Sequence, residues 1–102
     1  MKRGELWWAN VDKRRPVVLI SRREAYAVRA LLLVGPVTRT SRGFAAEVKV
    51  GRAEGLPAGC VINCDSLVTL PKVDLIERAG TLSATKIREL DDALRFVLGL
   101  EG

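Results

Sequence analysis

Short apolar runs, separated by polar breaks bearing glycine or proline, recur along most of this chain. Only the C-terminal stretch changes period. Residues 6–11 (LWWANV), rich in aromatic and apolar side chains, predict a first strand. Residues 12–14 form a short loop, and residues 15–20 are a continuous apolar run suited to a strand buried on both faces. Residues 21–28 are ambiguous: Ser21 can cap a short helix, with Glu24 at the capping-box spacing. Residues 30–38 predict a third strand around Leu31–Val34, with a bulge or bend at Gly35-Pro36. Residues 47–50 alternate polar and apolar, the mark of a half-exposed strand. Further strands are predicted at 60–63, 67–70 and 79–82. Then the pattern turns helical. Ser83 is a good N-cap, and Ile87, Leu90, Leu94, Val97 and Leu98 recur at spacings of three and four. Asp91 and Arg95 are ordered for an i,i+4 pair, and Gly99 is a natural stop. Six or seven short strands followed by one amphipathic helix predict a mainly β fold, a small barrel with a C-terminal α-helix packed on it. At 102 residues this is expected to be a single domain, 1–102.

The stretch Lys13-Arg14-Arg15-Pro16 adds a chemical element to that pattern. The ring of Pro16 forces Arg15 out of helical geometry, and Pro16 itself belongs at a strand start or edge. A guanidinium is thereby held at the mouth of a buried strand, and its paired donors match a phosphate. Arg15 can equally serve as the ion-pair partner of a carboxylate at a strand end.

Charge sharpens the picture. The net charge is +5, but residues 1–52 carry +8 and residues 53–102 carry −3, and 12 of the 17 cations are arginine. A basic half on a small domain points to nucleic acid or another polyanion. Cys60 and Cys64 are the only cysteines. On one strand their Cα atoms would lie about 13 Å apart, beyond the roughly 7 Å that a disulfide spans. Two reduced thiols in a cytoplasmic setting are expected. No signal-peptide pattern opens the chain, and no apolar run approaches a membrane span.

The chain contains no histidine. A Ser-His-Asp triad, a Cys-His pair and a two-histidine nuclease are therefore excluded, and a zinc site would lack ligands. What remains is cationic and hydroxyl chemistry. The hydroxyls gather in Thr38-Arg39-Thr40-Ser41-Arg42, at the end of the third strand. If the second and third strands pair, Thr38 can approach Arg15. Together they could stabilise phosphodiester cleavage in which the RNA's own 2′-hydroxyl attacks. Thr38 can also be simply a β-branched strand residue. Trp7 and Trp8 can stack bases, although adjacent strand residues face opposite ways. Arginine is a poor general base, so the group that takes the 2′-hydroxyl proton is left open.

Several segments, in order, resemble the MazF/PemK family of bacterial toxin endoribonucleases: Arg3-Gly4-Glu5-Leu6-Trp7-Trp8, Arg15-Pro16-Val17-Val18-Leu19-Ile20-Ser21, Val34-Gly35-Pro36-Val37-Thr38, Glu47-Val48 and Cys60-Val61-Ile62-Asn63-Cys64-Asp65-Ser66-Leu67. Gly80-Thr81-Leu82-Ser83 and Leu90-Asp91-Asp92-Ala93-Leu94 complete the match. The resemblance implies an SH3-like barrel that forms a homodimer. It implies sequence-specific cleavage of single-stranded RNA without metal or cofactor, leaving a cyclic phosphate and a 5′-hydroxyl. It also implies neutralisation by a small acidic antitoxin of the MazE type. Within it, Arg15 and Thr38 fall on the catalytic positions; the neighbouring Lys13, Arg14, Arg39, Thr40 and Arg42 are the expected RNA contacts. One departure stands out. Relatives carry a longer, glycine-rich loop between the first two strands, so their cut-site preference does not transfer.

Two other readings share this fold and charge. One is a CcdB-like toxin that binds a protein target such as gyrase. The other is a nucleic-acid-binding module without catalysis, which would bind with strong salt dependence and release no cyclic-phosphate product.

Overall fold

The computed structural model describes residues 1–100. The described residues form seven strands and two helices: β1 (Glu5–Asn10), β2 (Arg14–Leu19), α1 (Ala25–Val28), β3 (Leu31–Thr38), β4 (Glu47–Val50), β5 (Cys60–Asn63), β6 (Val68–Pro71), β7 (Leu75–Thr81) and α2 (Ala84–Leu98). The strands pair antiparallel in the order β4-β5-β3-β2-β1-β7, with β6 also on β3. The result is a curled sheet, a half-barrel, with the predicted helix as its C-terminal element. None of the helices is long and apolar enough to cross a membrane among the described residues.

Alternation along the strands divides the apolar side chains between two faces. Leu6, Val18, Val37, Val48 and Ile62 point into one cluster, which Leu90 and Ala93 of α2 close. Ala9, Val17, Leu19, Leu32 and Val34 point the other way, where Ala25 and Tyr26 cover them. Trp7 and Trp8 follow the same rule. Trp7 packs on the second cluster and Trp8 on the first. Cys60 and Cys64 are both buried free thiols.

The helix α2 is bounded as its sequence predicts. The Ser83 hydroxyl accepts from the Lys86 amide at 3.2 Å, and Gly99 ends the helix at φ 69°. Its charges pair differently from the expectation. Asp91 is taken by Arg3, with Nη2 to Oδ1 at 2.6 Å, and Arg95 turns to Asp92 at 3.1 Å. A partner fixed by the fold displaces the local one.

Ser21 does not cap a helix. Its hydroxyl accepts from the Leu33 amide at 2.8 Å, and α1 begins only at Ala25, with no side-chain cap. At Gly35-Pro36 the β2–β3 register stays regular, pairing Val17 with Pro36, Val18 with Gly35 and Leu19 with Val34. On its other edge β3 changes partner there, from β6 at Leu31–Val34 to β5 at Val37–Thr38. A Cβ on Gly35 would lie 3.2–3.3 Å from Ile62, Val18 and Ile20, so the glycine is what lets those three side chains close over the strand. The last strand is longer than predicted. Two irregularities in its pairing with β1 break the alternation and leave Ile76, Glu77 and Arg78 exposed, so no apolar period advertises it.

Candidate active site

Pro16 starts the buried part of β2, and Arg15 stands just before it, at the open end of the sheet. The β2–β3 register pairs Val17 with Pro36, and carrying it two residues on sets Arg15 opposite Thr38. Both then lie on the same face. A cavity of about 430 Å³ opens there, lined by Arg15 and Thr38 together with Pro36, Thr40, Arg42, Phe44, Glu47, Asn63, Asp65 and Ser66. A second, of about 370 Å³, continues over the strand ends past Trp8, Lys13, Arg39 and Cys60 and shares Arg15, Thr38 and Thr40 with the first.

Arg15 is oriented by Asp12 across the β1–β2 turn. Its Nη2 donates to Oδ2 at 3.1 Å. Its Nε lies 3.0 Å from Oδ1 but off the line of a hydrogen bond, so that buried N–H has no partner. The Asp12 carboxyl is held below the usual carboxylate range, first by its own backbone amide and then by the Arg15 charge. Thr38 is fixed differently. Its Oγ1 accepts from the Thr40 amide at 3.2 Å, which leaves the hydroxyl proton free to donate.

The segment between β3 and β4 is tied down by Glu47. Its carboxylate accepts from the Ser41 hydroxyl at 2.9 Å, from the Arg42 amide at 2.9 Å and from the Gly43 amide at 3.1 Å. These donors, led by the Arg42 amide, lower its pKa. This anchored loop presents Arg42 and Phe44 to the first cavity.

The predicted RNA contacts are thus distributed. Thr40 and Arg42 line the first cavity, and Lys13, Arg39 and Thr40 the second. Arg14 lines neither. It lies over the Trp8 ring, 4.8 Å from the centroid, and pairs with Glu77 at 2.8 Å. The sequence reading assigned no role to Phe44, Glu47, Asn63, Asp65 or Ser66. One local signal was available: Asn63 accepts from the Asp65 amide at 3.0 Å, an Asx turn that Asn-Cys-Asp-Ser encodes. Among the described residues no group of three or more Cys, Asp or Glu forms a metal-binding cluster.

Comparison with known proteins follows the same outline. The family model described as "PemK-like, MazF-like toxin of type II toxin-antitoxin system" matches residues 2–98. A Mycobacterium tuberculosis protein named "Probable endoribonuclease MazF2" is 35% identical over 101 residues, covering 97% of this chain and 99% of the relative. The solved structure "Mycobacterium tuberculosis toxin MazF-mt6" superposes with a TM-score of 0.92 at 33% identity, over 96% of this chain and 99% of that one. A MazE-MazF structure from Deinococcus radiodurans has a TM-score of 0.82 at 25% identity, over 99% and 98% of the two chains. The fold, the match along nearly the whole chain and these likenesses agree: the chain belongs to the PemK-like, MazF-like toxin family of type II toxin–antitoxin systems.

Proposed function

We propose that this protein is a sequence-specific endoribonuclease toxin that cuts single-stranded RNA by attack of the substrate's own 2′-hydroxyl. The observation that carries the reading is the shared cavity of Arg15 and Thr38 at the ends of adjacent strands. The 2′-oxygen bonds to phosphorus as the bond to the 5′-oxygen breaks, leaving a 2′,3′-cyclic phosphate and a 5′-hydroxyl. The 2′-hydroxyl gives up a proton and the departing 5′-oxygen gains one. Arg15 meets the charge that builds on the non-bridging oxygens, and the free Thr38 proton donates to the same phosphate. Because the nucleophile is intramolecular, no metal-activated water is needed. Lys13, Arg39, Thr40 and Arg42 hold the flanking backbone.

The protein acts as a homodimer in the cytoplasm, where its buried thiols stay reduced. Exposed Val28, Leu31 and Val73 offer apolar surface for association. A small acidic antitoxin of the MazE type neutralises it by covering the basic cavity face. The test is digestion of total RNA in excess chelator by the parent, Arg15→Ala and Thr38→Ala, with the cut ends sequenced. Loss of one positioned donor should slow cleavage by about 100- to 1,000-fold. Undiminished cutting by Arg15→Ala would overturn the assignment, and abolition of the parent's activity by chelator would overturn the metal-free chemistry. Sedimentation at micromolar concentration checks the dimer.

A further inference from the structure

The first cavity is larger than one phosphate needs. At about 430 Å³ it falls in the range of small-molecule sites, and its lining draws on both ends of β5: Thr38 pairs with Val61, whereas Asp65 follows the far end, where the Cys64 amide bonds to the Ala46 carbonyl and sets the Phe44 segment alongside. The Asp65 end is chemically distinct. Phe44 is a large aromatic side chain left 58% exposed, yet it lines the cavity on a loop whose backbone is bonded to Glu47. Asp65 lines it too. Its backbone is fixed by Asn63, while its carboxylate makes no hydrogen bond or ion pair among the described residues. Ser66 sits beside it with its oxygen accepting from Asn63 Nδ2 at 3.2 Å, so its hydroxyl proton is free. Glu47, the other carboxylate of the cavity, is consumed by the loop. An aromatic face beside a free acceptor is the arrangement by which proteins read an unstacked base on its Watson–Crick edge.

We infer that the Phe44–Asp65 end of this cavity is a nucleobase subsite that takes a base carrying an exocyclic amino group and rejects uracil. The inference deepens the nuclease reading and rests on it for its biological role. Phe44 supplies the stacking face, which any base can use. Asp65 supplies discrimination. An ionised carboxylate only accepts. Guanine meets it with adjacent N1–H and N2–H donors, and adenine and cytosine with an amino group. Uracil meets it with one N–H flanked by two carbonyl oxygens, which the carboxylate repels. The cations Arg15 and Arg42 take the phosphates on either side.

The test separates binding from cutting. Randomised 2′-fluoro RNA hexamers, which cannot form a cyclic phosphate, are selected on the parent, Asp65→Asn, Phe44→Ala and Phe44→Tyr and then sequenced. The parent should deplete uracil at one position by about tenfold relative to the best amino-bearing base. Asp65→Asn, whose amide both donates and accepts, should restore uracil there. Phe44→Ala should weaken binding by about tenfold whatever the base, and Phe44→Tyr should retain it. Equal enrichment of uracil by the parent, or an unchanged profile in Asp65→Asn, overturns the subsite. Selective binding without cleavage of natural RNA would end the nuclease reading and leave the subsite standing. Cleavage with no preference dependent on Asp65 would do the reverse.

Discussion

Asp12 reaches across the β1–β2 turn to Arg15, accepting a hydrogen bond from Nη2 at 3.1 Å while its other oxygen lies 3.0 Å from Nε. The pair spans only three residues and needs no other element to form. It presents the rest of the guanidinium to the cavity in one orientation. In Asp12→Asn the charge that holds Arg15 is gone, and on the proposed role of Arg15 turnover on RNA should fall about tenfold, because small misplacements of a reacting group are costly. The urea midpoint should stay that of the parent, since exposed ion pairs add little to stability. Unchanged turnover would show that Arg15 is positioned by its backbone alone.

Glu47 acts at one remove from the substrate. Its carboxylate collects the Ser41 hydroxyl and the Arg42 and Gly43 amides, and Glu47→Ala would release all three. Cleavage after Arg42 by trypsin should become rapid in that variant, while the thermal midpoint changes little, because the loop packs on no core cluster. If the rate of nicking at Arg42 is unaltered, the loop does not depend on this carboxylate.

Two glycines mark a contact with no room for a side chain. A Cβ on Gly80 would sit 2.1 Å from the Glu54 carbonyl oxygen, and one on Gly55 2.1 Å from that of Ala79, so β7 and the turn before Gly55 meet backbone to backbone. Gly80→Ala should destabilise the fold by about 3 kcal/mol or more. Gly59→Ala, at φ 79° but with nothing within 4 Å, faces conformational strain alone, about 1–2 kcal/mol. Urea denaturation of the two variants side by side measures the difference. Equal losses would mean that strain rather than crowding governs both.

Stability should hold between about pH 5 and pH 9 and decline on either side. Glu5, Asp12 and Glu47 all have lowered pKa values in the fold. For Glu5, burial pushes the other way and is outweighed by donors from Trp7, Lys2 and Arg78. The unfolded chain therefore binds protons first, and these groups withdraw their support as pH drops through the carboxylate range. On the alkaline side, burial raises Cys64 from 9.0 to about 11 and Tyr26 from 10.0 to about 12. The fold holds those protons more tightly, so stability is complete below pH 9 and is lost as pH rises through these values. The loss is about 2–3 kcal/mol for each group. Urea midpoints across the pH series check it. Cys64→Ala should remove that residue's share of the alkaline decline.

What the sequence disclosed is what the chain determines locally. The starts of β1, β2 and β3, the Ser83 cap and the Gly99 stop each follow from neighbouring residues. So does the placing of Arg15 and Thr38 at strand ends. Ser21, β7 and the partner of Asp91 were misread because distant contacts decide them: the Leu33 amide, the irregular pairing with β1 and the Arg3 side chain. The cavity suffered the same way. Phe44, Asp65 and Ser66 reach it only because β3, β4 and β5 pair, and the one local signal, the Asx turn at Asn63, does not announce a shared wall.

The change of partner along β3 bears on where this protein can breathe. Thr38 is the last residue of β3 and pairs with Val61 of β5, so the sheet holds its backbone along that edge. The turn that carries Asp12 has no strand beside it, and the loop from Ser41 to Gly43 is held only through Glu47. Adjustment to different substrates would then fall to the rim, around a hydroxyl that stays still.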